Sequence, residues 1–227
     1  MFHKIILSAV IFVFAASIGF AQSSEDFHKV EVFGGVSNNQ FDVGSTNSSS
    51  FNNQFKVRES LNGAEASVVY NLNRFIGIKG DFSAHFKNIV LENGLTVTTS
   101  PNSTTITTNV VRVRTSVYNF LGGVQIKDNR KEGSRFRPFG HAMVGQALIR
   151  TNLKPEDFSS PFCTASATAC AGLDATKMDL SAAFGGGLDI KASNRISIRA
   201  FQGDYNPTRL NNSTQHNFRF SVGVVFH

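Results

Sequence analysis

Phe218-Arg219-Phe220-Ser221-Val222-Gly223-Val224-Val225-Phe226 is the stretch of this sequence that decides its fold. Its even positions are all Phe or Val, whereas Arg, Ser and Gly fall on the odd positions and Val225 is the exception. Because successive side chains of a strand point to opposite faces, one face of this segment is apolar and the other is polar. A membrane-spanning strand needs this arrangement, with lipid on one side and a polar lumen on the other.

Further segments of β-type sequence precede this one, separated by clusters of Gly, Asn, Asp, Ser and Pro. The alternation is clean over 62–72, 74–87 and 176–191. Around Val117–Gly123 both faces carry bulky groups, and around Ala200–Asp204 the phase of the alternation changes; a bulge would account for either irregularity. The eight predicted strands are 27–37, 62–72, 74–87, 109–126, 136–150, 176–191, 194–205 and 215–227.

Long polar connections alternate with short ones between the predicted strands. The long ones cover 38–61, 88–108, 151–175 and 206–214, and the short ones lie near 71–74, 127–135 and 192–194. Barrels of the bacterial outer membrane have long extracellular loops and tight periplasmic turns. The sequence therefore predicts an all-β fold, an eight-stranded antiparallel up-and-down transmembrane β-barrel.

The first residues have the pattern of a secretory signal peptide. Lys4 precedes an uncharged apolar run, and a small-x-small sequence ends that run at Ala21. These features are typical of a cleaved leader, although a run of this length also approaches that of a membrane anchor. We expect a signal peptide over 1–21 and a single barrel domain over 22–227.

The polar face of the predicted strands carries Gly, Ser and a few charges of both signs. A soluble surface would have denser Lys and Glu, whereas small residues and paired ions suit a narrow lumen that side chains fill. We therefore expect the Phe-rich face to contact outer-membrane lipid and the lumen to be plugged by paired charges. The predicted lumen charges are Glu31, Glu65, Lys79, Asp81, Asp179, Asp189, Arg199 and Arg219.

Two cysteines, Cys163 and Cys170, lie close together in a polar segment. Because an exported chain enters an oxidising compartment, they are predicted to form a disulfide. Their spacing does not fit zinc and no His lies between them, so we expect no metal site and no cofactor. The formal net charge is +6, but the Lys and Arg residues are scattered, which does not favour nucleic acid as a partner.

An enzyme that acts on outer-leaflet lipid is one alternative function, because His141 could meet Ser181 and Asp179 of the next predicted strand. The sequence has no Gly-x-Ser-x-Gly and no His-Glu-x-x-His motif, so we assign no catalytic residue and prefer a non-enzymatic function. A soluble periplasmic ligand-binding barrel is another alternative, since it has the same alternation with the apolar face inside.

The polar connections over 38–60 and 88–108 are candidates for binding an extracellular ligand. Exposed loops on a rigid scaffold commonly carry binding function. The alternative is a hydrophilic coat that has no partner.

Three segments resemble the outer-membrane protein A-like eight-stranded β-barrel family: Arg137–Gly145, Gly185–Arg199 and Asn217–Phe226. The resemblance covers the predicted mature chain and implies a place in the bacterial outer membrane. It also implies insertion by the barrel-assembly machinery, which reads the C-terminal strand. No peptidoglycan-binding domain follows the barrel, so tethering to the cell wall is not implied. The family has no shared reaction, and the resemblance therefore implies a structural or surface-recognition role.

Overall fold

The computed structural model describes residues 26–42, 58–100, 103–153, 175–210 and 213–227. Eight antiparallel strands pair in sequence order, and β8 pairs with β1 to close the barrel. The strands are β1 (Val30–Asp42), β2 (Arg58–Asn71), β3 (Ile76–Ser100), β4 (Ser103–Lys127), β5 (Phe136–Leu153), β6 (Ala175–Lys191), β7 (Ile196–Leu210) and β8 (Ser213–Phe226). The predicted fold class is confirmed. No helix in these parts of the chain has the length and apolar character needed to cross a membrane.

The short connections lie at one end of the barrel. They cover residues 72–75, 128–135 and 192–195, close to the predicted positions. In an outer-membrane barrel this end faces the periplasm. Four predictions fall wholly or largely outside the described residues: the signal peptide over 1–21, the loop over 38–60, the long connection over 151–175, and the disulfide between Cys163 and Cys170.

The prediction of a long loop over 88–108 was wrong. β3 and β4 remain paired as far as Ser100 and Ser103, so they form a β-hairpin. The pairing of β3 with β2 ends at Phe86 and that of β4 with β5 ends at Val113, and beyond these points the hairpin is a two-stranded ribbon. This segment is rich in Thr and Val, whose β-branched side chains favour strands although the segment is polar. The predicted loop over 206–214 is also largely strand, for β7 and β8 pair up to its tip.

The apolar face of the strands points outward. Phe184 and Phe220 are 53 % and 54 % exposed, whereas Lys79 and Arg219 are 1 % and 0 % exposed. A soluble barrel would have the opposite arrangement, so the soluble alternative is wrong. The outer belt includes Val36, Val68, Tyr70, Ile78, Phe86, Phe120, Val124, Val144, Leu180, Phe184, Ile198, Phe201, Phe220 and Val222.

The bulge predicted near 200–204 is confirmed in β7. The β6 partners of Arg199 and Phe201 are adjacent residues, so Ala200 is the extra residue on β7. Each bulge residue reverses which positions face inward. Gln202 and Asp204 therefore point into the lumen, as Arg199 does, although each of them lies an odd number of residues after Arg199.

The bulge predicted around Val117–Gly123 was wrong, because the pairing of β4 with β3 and β5 is uninterrupted there and the odd-numbered residues face inward throughout. Both faces of β4 carry bulky groups at this level since apolar side chains also lie inside the barrel. Val117 belongs to a buried cluster with Phe41, Leu61 and Ile149. Leu121 belongs to a second one with Met143 and Ala183.

Candidate functional site in the barrel lumen

The periplasmic part of the lumen contains a chain of ion pairs drawn from four strands. The Nζ atom of Lys127 contacts the carboxylate of Glu31 and lies 3.0 Å from Oδ2 of Asp189. Arg199 donates to the other oxygen of Asp189 from Nε, at 2.8 Å. Because the four residues come from β4, β1, β6 and β7, the chain of contacts connects opposite walls of the barrel.

The Arg199 guanidinium also has aromatic neighbours. Its carbon lies 4.3 Å from the ring centre of Phe33 and 4.1 Å from that of Phe139. A cation this close to the face of an aromatic ring is attracted by the ring's quadrupole. The same guanidinium donates to Oε1 of Gln202 at 2.8 Å, which links this level of the lumen to the next.

Arg219 is the centre of the network in the middle of the barrel. Its guanidinium donates to Oδ1 of Asp81 at 2.7 Å and to Oδ2 of Asp204 at 2.7 Å, and its Nε lies 3.5 Å from Oε2 of Glu65. The three carboxylates come from β3, β7 and β2. Arginine has five donors and cannot be deprotonated in a protein, so one side chain can hold several buried carboxylates.

Lys79 and His141 complete this central network. The Nζ of Lys79 lies 3.8 Å from Oδ2 of Asp81 and 3.4 Å from Nδ1 of His141. The Nε2 of His141 lies 2.9 Å from Oδ1 of Asp204. These contacts fit a histidine that accepts from the ammonium group and donates to the carboxylate.

Polar and apolar side chains close the two ends of the described lumen. At the periplasmic end the rings of His28 and His227 stack with their centres 4.3 Å apart, and Asn71 donates to the carbonyl of His28 at 2.7 Å. Burial lowers the pKa of His28 to about 3, so this ring is neutral at physiological pH. At the extracellular end the buried cluster of Phe41, Leu61, Val117 and Ile149 covers the polar interior.

The structure places seven of the eight predicted lumen charges in buried positions of the interior: Glu31, Glu65, Lys79, Asp81, Asp189, Arg199 and Arg219. Asp179 lies on the same face of β6 but nearer the extracellular end, where it is partly exposed. Sequence reasoning missed Lys127, because it adjoins a charged turn, and Asp204, because the bulge at Ala200 moves it inward. Asp204 lies an odd number of residues after Arg199, so regular alternation without the bulge would place these two side chains on opposite faces of the strand.

The structure separates the residues of the hypothetical lipid-hydrolysing triad. His141 is enclosed in the lumen, where its partners are Asp204 and Lys79. Ser181 lies instead beside Thr208, 3.2 Å away between hydroxyl oxygens. His141 therefore cannot act on membrane lipid together with Ser181. In the described ranges, no group of three or more His, Cys, Asp and Glu side chains is arranged to hold a metal ion.

Comparisons with known proteins agree with this architecture. A family model described as outer membrane protein beta-barrel domain matches residues 6–226. Neisserial surface protein A has a similar fold, at 11% identity and a TM-score of 0.52, with 89% of this chain and 99% of that chain covered. No curated protein is similar enough to this chain to count as a match.

Two further solved structures are similar to this chain. The attachment invasion locus protein Ail of Yersinia pestis, solved with the heparin analogue sucrose octasulfate, is 14% identical over 88% of this chain and 99% of that chain, with a TM-score of 0.49. OprG from Pseudomonas aeruginosa is 10% identical over 88% of this chain and 97% of that chain, with a TM-score of 0.46. The match of the family model over almost the whole sequence decides the assignment: the chain belongs to the outer membrane protein β-barrel domain family and is a protein of the bacterial outer membrane.

Proposed function

We propose that this protein is a non-enzymatic outer-membrane barrel whose lumen is plugged and whose function is structural or recognition at the cell surface. The observation that carries the proposal is the position of Arg219, which is buried at the centre of the barrel and contacts carboxylates from three other strands. A network of this kind braces the wall and occupies the space that a channel would need.

The extracellular side supplies the surface for recognition. The ribbon of β3 and β4 continues past the ends of the pairings with β2 and β5, and so projects beyond the neighbouring strands. We propose that this ribbon and the loop over 38–60 bind an extracellular ligand. Insertion would follow removal of a signal peptide over 1–21 and reading of β8 by the barrel-assembly machinery.

The plugged lumen is tested by electrical recording. Refolded protein in planar bilayers is expected to give no uniform, lasting conductance steps, because ion pairs cross the lumen at two levels. Folding is verified on the same sample by the change in gel mobility on heating. Detergent carried through the same procedure is the control. Conductance steps of one reproducible size, with a frequency that rises with the protein concentration, would contradict the proposal that the lumen is closed.

The orientation is tested with an epitope tag on whole cells. A tag inserted between Ser100 and Ser103, at the tip of the ribbon, is expected to bind antibody on intact cells. The matched control is the same tag in the turn at 192–195, which is expected to bind antibody after the outer membrane has been permeabilised. Staining of the turn tag on intact cells, with none of the ribbon tag, would exclude display by this ribbon.

A further inference from the structure

The projecting ribbon of β3 and β4 contains a β-bulge. The register of the two strands shifts between Glu92 and Leu95, where Asn93 and Gly94 lie opposite the single residue Asn109. A bulge leaves its extra residue without a partner in the ladder and disrupts the hydrogen bonds beside it. The pairing of β3 with β2 has ended before this point, so β4 is the one described strand that pairs with β3 here.

An asparagine that precedes a glycine can react with its own backbone. Glycine has no Cβ, so no side chain hinders the approach of its nitrogen to the preceding carboxamide. In this reaction the glycine nitrogen bonds to Cγ of the asparagine, and the carboxamide nitrogen leaves as ammonia with the proton of the glycine N–H group. Water then opens the resulting succinimide at one of its two carbonyls, which gives aspartate or isoaspartate. The sequence of steps is deamidation, and it needs no catalyst.

The chain has a second Asn-Gly step, Asn62–Gly63, in a contrasting position. It lies within β2, where the register is continuous with β1 on one side and with β3 on the other. The side chain of Asn62 is also held, because its Oδ1 accepts from Nδ2 of Asn38 at 2.7 Å. Backbone N–H groups of a strand with two neighbours are bonded in the ladders. The Gly63 nitrogen therefore becomes available for attack only when β2 opens locally.

We propose that Asn93 is a site of spontaneous deamidation in the folded protein, and that the position of Asn62 in β2 protects it from the same reaction. Attack by the glycine nitrogen requires the asparagine backbone to rotate away from the extended conformation. Two continuous ladders oppose this rotation at Asn62, whereas the bulge interrupts the one ladder that holds Asn93. The ribbon also projects beyond the neighbouring strands, where water is available for the second step.

Deamidation would change the charge of the ribbon. Glu92 is the one charged residue between positions 88 and 111 of the sequence. Conversion of Asn93 places a second negative charge next to Glu92, in a segment whose other polar residues are neutral Asn, Ser and Thr. The isoaspartate product also routes the backbone through the former side chain and so lengthens it by one atom. The folded protein is therefore expected to occur in forms that differ in the charge and backbone of the ribbon.

Peptide mapping by mass spectrometry tests the proposal. The refolded barrel in lipid vesicles is incubated at mildly alkaline pH, and conversion at the two Asn-Gly steps is followed over time in the same sample. Asn93 is expected to convert at least about tenfold faster than Asn62, which corresponds to a free energy of local opening of β2 of about 1.4 kcal/mol. Protein kept unfolded in guanidinium chloride is the control. Both steps are equally exposed there and are expected to convert at similar rates.

A variant tests the route of the reaction. Gly94→Ala is expected to slow the conversion of Asn93 several-fold, because the added methyl group hinders attack by the backbone nitrogen, and to leave the conversion of Asn62 unchanged. Gel mobility before and after heating verifies that the variant is folded. Two results would overturn the proposal. They are equal rates at Asn93 and Asn62 in the folded barrel, and a rate at Asn93 that Gly94→Ala does not change.

Discussion

Replacing Arg219 with methionine is expected to lower the free energy of unfolding by about 3–5 kcal/mol, the usual effect of removing one partner from a buried ion pair. The substitution keeps most of the side-chain volume but leaves Asp81, Asp204 and Glu65 without their shared cation. Lys79 and His141 contact two of these carboxylates from the other side, and neither can replace three guanidinium contacts. Urea unfolding of the barrel in lipid vesicles measures the loss.

Two further variants separate the ion pairs from packing. Arg219→Lys keeps the charge without the planar donors and is expected to lose less stability than the methionine variant. Arg195→Met removes an exposed arginine from a periplasmic turn and is expected to change stability by less than about 0.5 kcal/mol. A loss below about 1 kcal/mol for Arg219→Met would mean that the buried carboxylates are protonated or hydrated and that Arg219 does not hold the network together.

The transmembrane strands could be predicted from the sequence because each has one face in lipid and one in the lumen. That environment imposes a period of two, and β8 shows it over nearly its whole length. The same rule fails for the ribbon over 89–100 and 103–112, because neither face of a projecting hairpin must be apolar. The β-branched residues of the ribbon favour strands, but the polar character of the segment led to the prediction of a loop.

The composition of the lumen could be predicted, but its pairing could not. A polar face shows which charges point inward, whereas Arg219 and Asp81 are brought together by closure of the barrel, from strands distant in the sequence. Asp204 was missed for a different reason. One bulge residue, Ala200, reverses the inward positions of the remainder of β7, and a two-residue period read across it assigns Asp204 to the wrong face.

The second prediction with a large effect concerns the outer wall. Phe184→Arg is expected to destabilise the folded barrel by about 2–4 kcal/mol, the cost of an arginine facing lipid near the middle of the membrane. Phe184 suits this test because it lies near the middle of β6 and its side chain is 53 % exposed. Urea unfolding in phospholipid vesicles gives the free energy, and folding efficiency in the same vesicles gives an independent measure.

The matched control for Phe184 is Phe136, which is 57 % exposed and is the first residue of β5, next to a periplasmic turn. An arginine there can reach the headgroups, so Phe136→Arg is expected to cost about 0–1 kcal/mol. Both variants make the same change on equally exposed rings, and the difference between them therefore reports depth in the membrane. On a water-facing wall, arginine would be tolerated at both positions. Equal and small effects would thus show that hydrocarbon does not surround this barrel, however well its strands pair.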